Sequence, residues 1–224
     1  MRIAIDGPAG AGKSTIARRV AAVLGYVYVD TGAMYRALTA EVLRRSIEPE
    51  DAVAVSSLAK SLQIMLRHDN KTGQQGVLID HRDVTEEIRE PVVNQNVSMV
   101  ASHEGVRTAI VAQQKSMAAQ GNVVMDGRDI GTTVIPDAEV KVFLKASVRE
   151  RARRRSLDLI RRGYKVNLDE LEDEIRERDF FDSTRRVSPL RKADDAVEID
   201  TTHVSVDEVV DMVLLLCQGR EATH

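Results

Sequence analysis

The stretch from Gly7 to Ser14 constrains this chain more than any other part of it. Its residues, Gly-Pro-Ala-Gly-Ala-Gly-Lys-Ser, match the phosphate-binding loop pattern G-x-x-x-x-G-K-[S/T]. The apolar run Ile3–Ile5 comes before it and predicts a short buried strand at about Arg2–Asp6. Apolar residues recur at helical spacing after the loop as far as Gly25. Because this pattern binds phosphate when it lies between a strand and a helix, we predict a nucleoside triphosphate site here.

The loop supplies two kinds of phosphate ligand. Its glycines allow a tight turn in which successive backbone N–H groups face an anion. Lys13 is placed to reach the β- and γ-phosphates, and the Ser14 hydroxyl is a predicted Mg²⁺ ligand. The alternative is a glycine-rich turn without a ligand. The predicted ATP-binding residues are Gly7, Pro8, Ala9, Gly10, Ala11, Gly12, Lys13, Ser14 and Thr15.

Composition restricts the class of protein further. The chain has 224 residues, of which 43% are hydrophobic and 30% charged, which suits a globular α/β protein. The net charge of −3 gives no general case for binding nucleic acid, and we expect no such partner. Cys217 is the only cysteine, so no internal disulfide is possible. With no signal peptide or apolar run of membrane-spanning length, we predict a cytoplasmic enzyme without a membrane partner.

Two further predicted strands end in polar motifs. The strand Tyr26–Asp30 continues into Thr-Gly-Ala-Met-Tyr-Arg, and the strand Asn122–Asp126 into Gly-Arg-Asp-Ile-Gly. Ligands of open α/β sheets lie outside the carboxyl ends of the strands, so both motifs are predicted to lie near the loop. Asp30 suits either a metal-bound water or a helix cap. Asp126 is a candidate Mg²⁺ ligand, with an Asx turn as the alternative for it and for Asp129.

Two segments interrupt the alternation of strands and helices. Short strands at Gln63–Leu66 and Val77–Ile79, joined by the polar turn 69–73, predict a β-rich insertion, which is either a surface excursion or a mobile cover for a substrate. Residues 149–191 hold 12 of the 24 arginines. They form either a solvated helix face or a lid that closes on the transferring phosphoryl group, with Gly163 as a hinge.

Four blocks together resemble the bacterial cytidylate kinases, a family of nucleoside monophosphate kinases. They are Gly7–Thr15, Asp30–Arg36, Asp126–Gly131 and Glu177–Asp179. The resemblance covers the whole chain. It implies a P-loop kinase fold, with a five-stranded parallel sheet flanked by helices, a small β-rich monophosphate-binding insertion and a short arginine-rich lid. The implied boundaries within this single kinase unit are a core at 1–60, 101–148 and 168–224, an insertion at 61–100 and a lid at 149–167.

The resemblance also implies an activity and a set of roles. The activity is transfer of the γ-phosphoryl group of ATP to CMP or dCMP, with Mg²⁺, by a monomer. The implied CMP-binding residues are Thr31, Arg36, Ser98, Arg107, Arg128, Asp129, Arg178, Asp182 and Arg185. Among them, Ser98, Arg107 and Asp129 would contact the cytosine. The monophosphate would be held by Arg36, Arg128 and Arg185, and the sugar by Arg178 and Asp182.

The remaining sequence signals concern catalysis. Lys13, Arg128, Arg185, Arg151 and Arg154 are the candidate catalytic residues, and the arginines at 153 and 155 are further candidates for the γ-phosphate. At Phe180-Phe181 the chain is less polar than the family pattern, and this lies next to the predicted sugar ligands.

Two other functions fit parts of the sequence. One is a kinase for another small acceptor, such as UMP or shikimate. The other is a nucleotide-dependent switch or nucleic-acid-binding protein. Aromatic residues make up only 3% of the chain, so platforms for base stacking are scarce, and no Asn-Lys-x-Asp motif for guanine is present.

Overall fold

The computed structural model describes residues 1–68 and 75–221, and the predicted turn at 69–73 lies outside them. Eight strands and eight α-helices are found in the described part of the chain. The strands are β1 (Arg2–Asp6), β2 (Val27–Asp30), β3 (Ile64–His68), β4 (Gln75–Ile79), β5 (Arg82–Asp83), β6 (Val123–Gly127), β7 (Val140–Lys145) and β8 (Val197–Asp200). The helices are α1 (Lys13–Leu24), α2 (Thr31–Arg44), α3 (Ala52–Ser61), α4 (Pro91–Val100), α5 (Glu104–Ala118), α6 (Val148–Arg161), α7 (Leu168–Thr184) and α8 (Val206–Glu221).

The chain divides into two compact units. The first contains Met1–Tyr28 and Gly121–His224, and the second contains Val29–Gln120. The boundaries of core, insertion and lid that the family resemblance implies stay a prediction. No helix among residues 1–68 and 75–221 has the length and apolarity needed to cross a membrane.

A five-stranded sheet with the order β2-β6-β1-β7-β8 organises the first unit. Strand β1 is central and pairs in parallel with β6 on one side and β7 on the other, and β8 pairs in parallel with β7. Ile3, Ala4 and Ile5 are fully buried, as expected for a parallel strand covered on both faces. The predicted fold class, a five-stranded parallel sheet flanked by helices, is therefore confirmed, and the first strand has the predicted bounds.

Helices α1 and α8 pack against each other and contribute to the same apolar core as the sheet. Helix α1 begins at Lys13 and ends at Gly25, whose φ of 68° is a left-handed cap. Ahead of α8, the Ser-x-x-Glu pattern at Ser205–Glu208 predicts a capping box. The box is present, because each of the two residues accepts a hydrogen bond from the other's backbone N–H. The helix that follows the loop therefore ends in a glycine cap and packs against a helix with a capped start.

The second unit is a group of helices with a small antiparallel sheet of order β3-β4-β5. Its core joins Leu38 of α2, Val55 of α3 and Ile110 of α5 with Ile64 and Ile79 of the sheet. The sequence also predicts a helix start at residues 85–88 and places Pro91 in the first turn of a helix. The first of these is a short 3₁₀ turn, Glu87–Arg89, and Pro91 opens α4 as predicted. The β-rich insertion thus contains a three-stranded sheet. Its first two strands differ from the predicted bounds by at most two residues at either end, and the third was not predicted.

One buried carboxylate of the second unit is held by three arginines. Glu41 on α2 is 2% exposed and accepts hydrogen bonds from Arg44, Arg45 and Arg82 at 2.6–2.8 Å. The hydrogen bonds from Arg44 are the largest influence and, with those of the other two arginines, lower the pKa of Glu41 to about 2 against the opposing effect of burial. Arg82 also binds Glu87, so this cluster ties β5 to α2 and to the 3₁₀ turn.

Glu41→Gln should destabilise the protein by about 2 kcal/mol at pH 7, since the neutral amide cannot satisfy three guanidinium groups that are themselves partly exposed. The pKa of Glu41 is lower in the folded state, so its contribution is present above pH 4.5 and is lost as the pH falls toward 2. Urea unfolding at pH 7 and pH 3 should show the difference between variant and parent shrinking at the lower pH. Glu86→Gln, at an 80% exposed side chain, is the control and should change little. An equal effect of Glu41→Gln at both pH values would contradict this account.

Candidate active site

The phosphate-loop sequence forms a left-handed, glycine-dependent turn between β1 and α1. Gly7, Gly10 and Gly12 have φ values of 149°, 78° and 93°. Gly7 is also the most crowded, because a Cβ there would lie 2.1 Å from the carbonyl oxygen of Leu144 on β7. The strand-loop-helix setting predicted from the sequence is therefore present.

Three carbonyl groups of this loop accept hydrogen bonds from side chains. Lys13 Nζ donates to the Pro8 carbonyl at 2.7 Å, Arg151 Nη1 to the Ala9 carbonyl at 3.2 Å, and Thr201 Oγ1 to the Ala11 carbonyl at 3.1 Å. In a trans peptide the C=O and the following N–H point in opposite directions. Each carbonyl that is held in this way therefore fixes the direction of the N–H that follows it in the chain.

Lys13 is a buried cation in the middle of other charges. Lys13 is only 6% exposed. Burial lowers the pKa of Lys13 well below its usual value, and Arg128 adds to this, while Asp126 and Asp6 act in the opposite direction. A cation held this way is strongly stabilised by an incoming polyphosphate.

Ser14 and Asp126 lie together, as expected for a magnesium site. The Ser14 hydroxyl donates to Asp126 Oδ2 at 2.9 Å, and the Tyr28 hydroxyl donates to Asp126 Oδ1 at 2.8 Å. A hydroxyl and a carboxylate are hard oxygen ligands that suit Mg²⁺, which typically takes only one or two protein ligands beside the substrate phosphates. The residues present therefore fit a magnesium ion bound with a nucleotide.

Asp6, the last residue of β1, fixes the segment that follows β6. Its two carboxylate oxygens accept the backbone N–H groups of Ile130 and Gly131, each at 2.8 Å. Burial raises the pKa of Asp6 to about 6, although these two hydrogen bonds act in the opposite direction. The residue before the phosphate loop thus holds the turn that carries Arg128 and Asp129.

In the first unit, the arginines predicted to bind the acceptor nucleotide lie next to carboxylates. Arg128 Nε donates to Asp182 Oδ2 at 3.1 Å. Arg185 has one guanidinium nitrogen 3.9 Å from Asp182 and another 3.9 Å from Asp129, and the side chains of all three are no more than 5% exposed. Burial on its own would raise the pKa of Asp182, but Arg128, Arg178 and Arg185 together hold it below its usual value. Five of the predicted site residues are thus brought into one charged cluster.

In the second unit, Asp30 and Arg36 are paired at the start of α2. Asp30 Oδ1 accepts the Ala33 N–H at 2.8 Å, and Asp30 Oδ2 accepts from Arg36 at 3.0 Å. Of the two predicted roles for Asp30, the helix cap is therefore the one observed. Thr31, the first residue of α2, is 2% exposed.

Arg107 and Ser98 also lie in the second unit, on α5 and α4. The Arg107 guanidinium carbon is 5.3 Å from the centre of the Tyr35 ring, a cation–π contact between residues that are 3% and 8% exposed. The Ser98 hydroxyl is buried and has no hydrogen-bond partner among residues 1–68 and 75–221. A buried hydroxyl without a partner is costly, which makes it a plausible ligand-binding group.

Four of the arginines of α6, at positions 151, 153, 154 and 155, differ in their surroundings. Arg151 is buried against the phosphate loop, and Arg154 donates to the carbonyl and hydroxyl of Thr201 and to Glu150. Arg153 pairs with Glu150 at an exposed position. Burial lowers the pKa of Arg155, with Glu174 opposing the shift. Contact with a γ-phosphate stays a prediction for each of them.

Some residues that shape the site were not predicted from the sequence. Asp6, Tyr28, Tyr35, Asp179 and Thr201 each bind or contact a predicted site residue or the loop itself. Asp6 carried a signal as the acidic end of the strand before the loop, and Tyr35 and Asp179 lie within two of the blocks that carry the family resemblance, although no role was assigned to them. Tyr28 and Thr201 depend on contacts between distant parts of the chain.

Gly7→Ala should disrupt the site, since its new Cβ would collide with β7 and its backbone would be strained. We expect a loss of roughly 3 kcal/mol or more of stability, together with loss of ATP binding. Gly25→Ala is the control, since φ is also positive there but nothing lies within 4 Å of the added atom, and it should cost about 1 kcal/mol. Denaturant unfolding and ATP calorimetry would measure both variants. Equal, small effects at the two glycines would show that Gly7 is not required.

Comparison with known proteins identifies the family that this chain is similar to. The family model described as cytidylate kinase matches residues 3–218. A cytidylate kinase of Bacillus pumilus (strain SAFR-032) is 54% identical over 215 residues, covering 96% of this chain and 94% of the relative. One from Geobacillus sp. (strain WCH70) is 52% identical over 222 residues, covering 98% and 97%.

A solved structure shows the same fold at much lower sequence similarity. It is a gluconokinase from Sinorhizobium meliloti 1021, with a TM-score of 0.50 and 15% identity, covering 99% of this chain and 94% of that one. At this identity the match supports the fold alone. The family model and the two relatives, which extend over nearly the whole chain, show that this protein belongs to the cytidylate kinase family.

Proposed function

We propose that this protein transfers the γ-phosphoryl group of ATP to CMP or dCMP, giving ADP and CDP or dCDP. Membership of the cytidylate kinase family supports this reaction. The observation that carries it furthest is that the first unit contains both a complete phosphate loop and the buried cluster of Arg128, Asp129, Asp182 and Arg185. A loop for one phosphate chain and a set of guanidinium groups for another suit a reaction between two nucleotides.

The donor would be bound by residues 7–15. Backbone N–H groups of the loop would hold the phosphates, and Lys13 would turn from the Pro8 carbonyl toward their negative charge. Ser14 and Asp126 would hold Mg²⁺, directly or through water, and the ion would supply charge neutralisation at the phosphates. Because Asp126 also accepts from Tyr28, its position does not depend on the ion.

The acceptor would be bound by side chains of the kinds that its groups require. Arg36, Arg128 and Arg185 would hold the monophosphate by charge-assisted hydrogen bonds. Ser98, Arg107 and Asp129 would recognise the cytosine, with the Asp129 carboxylate accepting from its amino group. The sugar would be bound by Arg178 and Asp182, and Thr31 would add a hydroxyl next to Arg36.

The chemical step would need positioning and charge stabilisation more than proton transfer. An oxygen of the acceptor monophosphate is already anionic at neutral pH, so direct in-line attack requires no strong base. Lys13, Arg128 and Arg185 would stabilise the charge that spreads over the transferring group, within a site whose burial strengthens these interactions. Arg151 and Arg154 stay proposed contributors. Arg151 is held by its hydrogen bond to the Ala9 carbonyl, and Arg154 by its hydrogen bond to the Thr201 carbonyl.

The competing functions have less support. A kinase for UMP or shikimate would share the loop, but the family match favours cytosine nucleotides. A protein that only binds one nucleotide would not need the guanidinium groups of Arg128 and Arg185 in addition to the phosphate loop. The monomeric state that the family resemblance implies and the cytoplasmic location predicted from the sequence stay predictions, which sedimentation and cell fractionation would test.

Lys13→Ala should lower turnover by roughly two to three orders of magnitude, because it removes the cation at the β- and γ-phosphates. A coupled assay of ADP release with CMP as acceptor measures this. Lys60→Ala, at an exposed position on α3, is the control and should be unaffected. Near-normal turnover of the Lys13 variant would contradict the proposed mechanism.

Asp129→Asn should lower kcat/KM for CMP by roughly 10- to 100-fold and should reduce the preference for CMP over UMP. The amide can donate to the uracil carbonyl, whereas the carboxylate can only accept. The assay compares CMP, dCMP, UMP and shikimate. Asp158→Asn, whose side chain is 71% exposed, serves as the matched control. If the parent protein prefers UMP or shikimate, the proposed acceptor is wrong.

A further inference from the structure

We propose that Asp179 is a positioning residue for the ATP site, acting through Arg151 on the peptide between Ala9 and Gly10. Asp179 lies on α7, in the helix that also carries Arg178 and Asp182, the proposed sugar ligands. The inference deepens the proposed function and rests on it for the identity of the two nucleotides. It gives the helix of the acceptor ligands a direct connection to the loop of the donor.

Arg151 makes this connection with three nitrogens of one planar group. Its Nη2 donates to Asp179 Oδ2 at 2.6 Å, its Nη1 to the Ala9 carbonyl at 3.2 Å and its Nε to the Ala146 carbonyl at 2.9 Å. The Arg151 side chain is 4% exposed and that of Asp179 is 25% exposed, so the guanidinium is buried while the carboxylate is partly open to water. Because the guanidinium is planar and rigid, moving one of the three partners moves the others.

At the loop end of this connection, Gly10 is closely packed against Arg151. A Cβ on Gly10 would lie 3.0 Å from Arg151 Cβ and 3.3 Å from the Arg151 carbonyl oxygen, so the first turns of α6 pack directly against the loop. With the Ala9 carbonyl held by Arg151, the planarity of the peptide fixes the direction of the Gly10 N–H. That N–H is one of the groups proposed to hold phosphate.

At the α7 end of the connection, the positive charge of Arg151 compensates the negative charge of Asp179. Asp179 Oδ1 is buried and has no hydrogen-bond partner in the described part of the chain, so the contact to Arg151 through Oδ2 is the main compensation for this carboxylate. Helices α6 and α7 also pack through Ala152, Leu171 and Ile175. The pair therefore lies across a packed helix interface, where small displacements of α7 are transmitted to Arg151.

The first test replaces Asp179 by Asn and measures binding of each nucleotide alone by calorimetry. We expect the Kd for Mg·ATP to rise roughly tenfold, because the charge-assisted bond that orients Arg151 is weakened, while the Kd for CMP changes less than about twofold. Asp173→Asn, an exposed acid on the same helix that pairs with Arg176, is the matched control and should change neither constant. Equal losses for both nucleotides would indicate a purely structural role and would overturn the proposal, as would no change in ATP binding.

The second test asks whether the two residues act together. Arg151→Lys keeps the charge but cannot span three partners, so it should also weaken ATP binding by roughly tenfold. In the double variant, Arg151→Lys with Asp179→Asn, the loss should be no greater than in either single variant. Additive losses would contradict the connection. A parent protein that binds ATP but not CMP would refute the proposed acceptor and leave the ATP measurements interpretable.

Discussion

The hydrogen bonds received by the carbonyl groups of the phosphate loop are the interaction on which the site depends. A loop can present its N–H groups to an anion only if its carbonyls are satisfied elsewhere. Here Lys13, Arg151 and Thr201 bind three of them, from α1, from α6 and from the segment after β8. The carbonyl groups of the proposed phosphate-binding loop are therefore held by side chains from three parts of the sequence.

The same unit buries an unusual number of charges close to one another. Asp6, Lys13, Asp126 and Asp182 are each 6% exposed or less. The three carboxylates are compensated: Asp6 has two backbone N–H groups, Asp126 has two hydroxyls, and Asp182 has the guanidinium of Arg128. Buried charges are costly unless paired in this way. The cations among these carboxylates, Lys13, Arg128 and Arg185, are the groups that suit ligands with several negative charges, such as two nucleotides.

Whether a feature could be predicted from the sequence depends on how close together its residues lie in the chain. The loop, the helix from Lys13, the first strand and the capping box at Ser205 depend on neighbouring residues, and all were predicted correctly. The roles of Thr201 and Tyr28 could not be predicted, because they arise from contacts with residues 190 and 98 positions away. The family resemblance supplied Arg128, Asp182 and Arg185 as a group, and the structure shows that these three lie together.

The most direct test of the central claim is an amide NMR titration of the protein with Mg·ATP. If backbone N–H groups hold the phosphates, the amide resonances of Gly10, Gly12 and Lys13 should shift strongly downfield and saturate together, because each forms a charge-assisted hydrogen bond. Large shifts elsewhere with these three resonances unchanged would show that the loop does not bind the triphosphate, and the proposed arrangement of the donor site would be wrong.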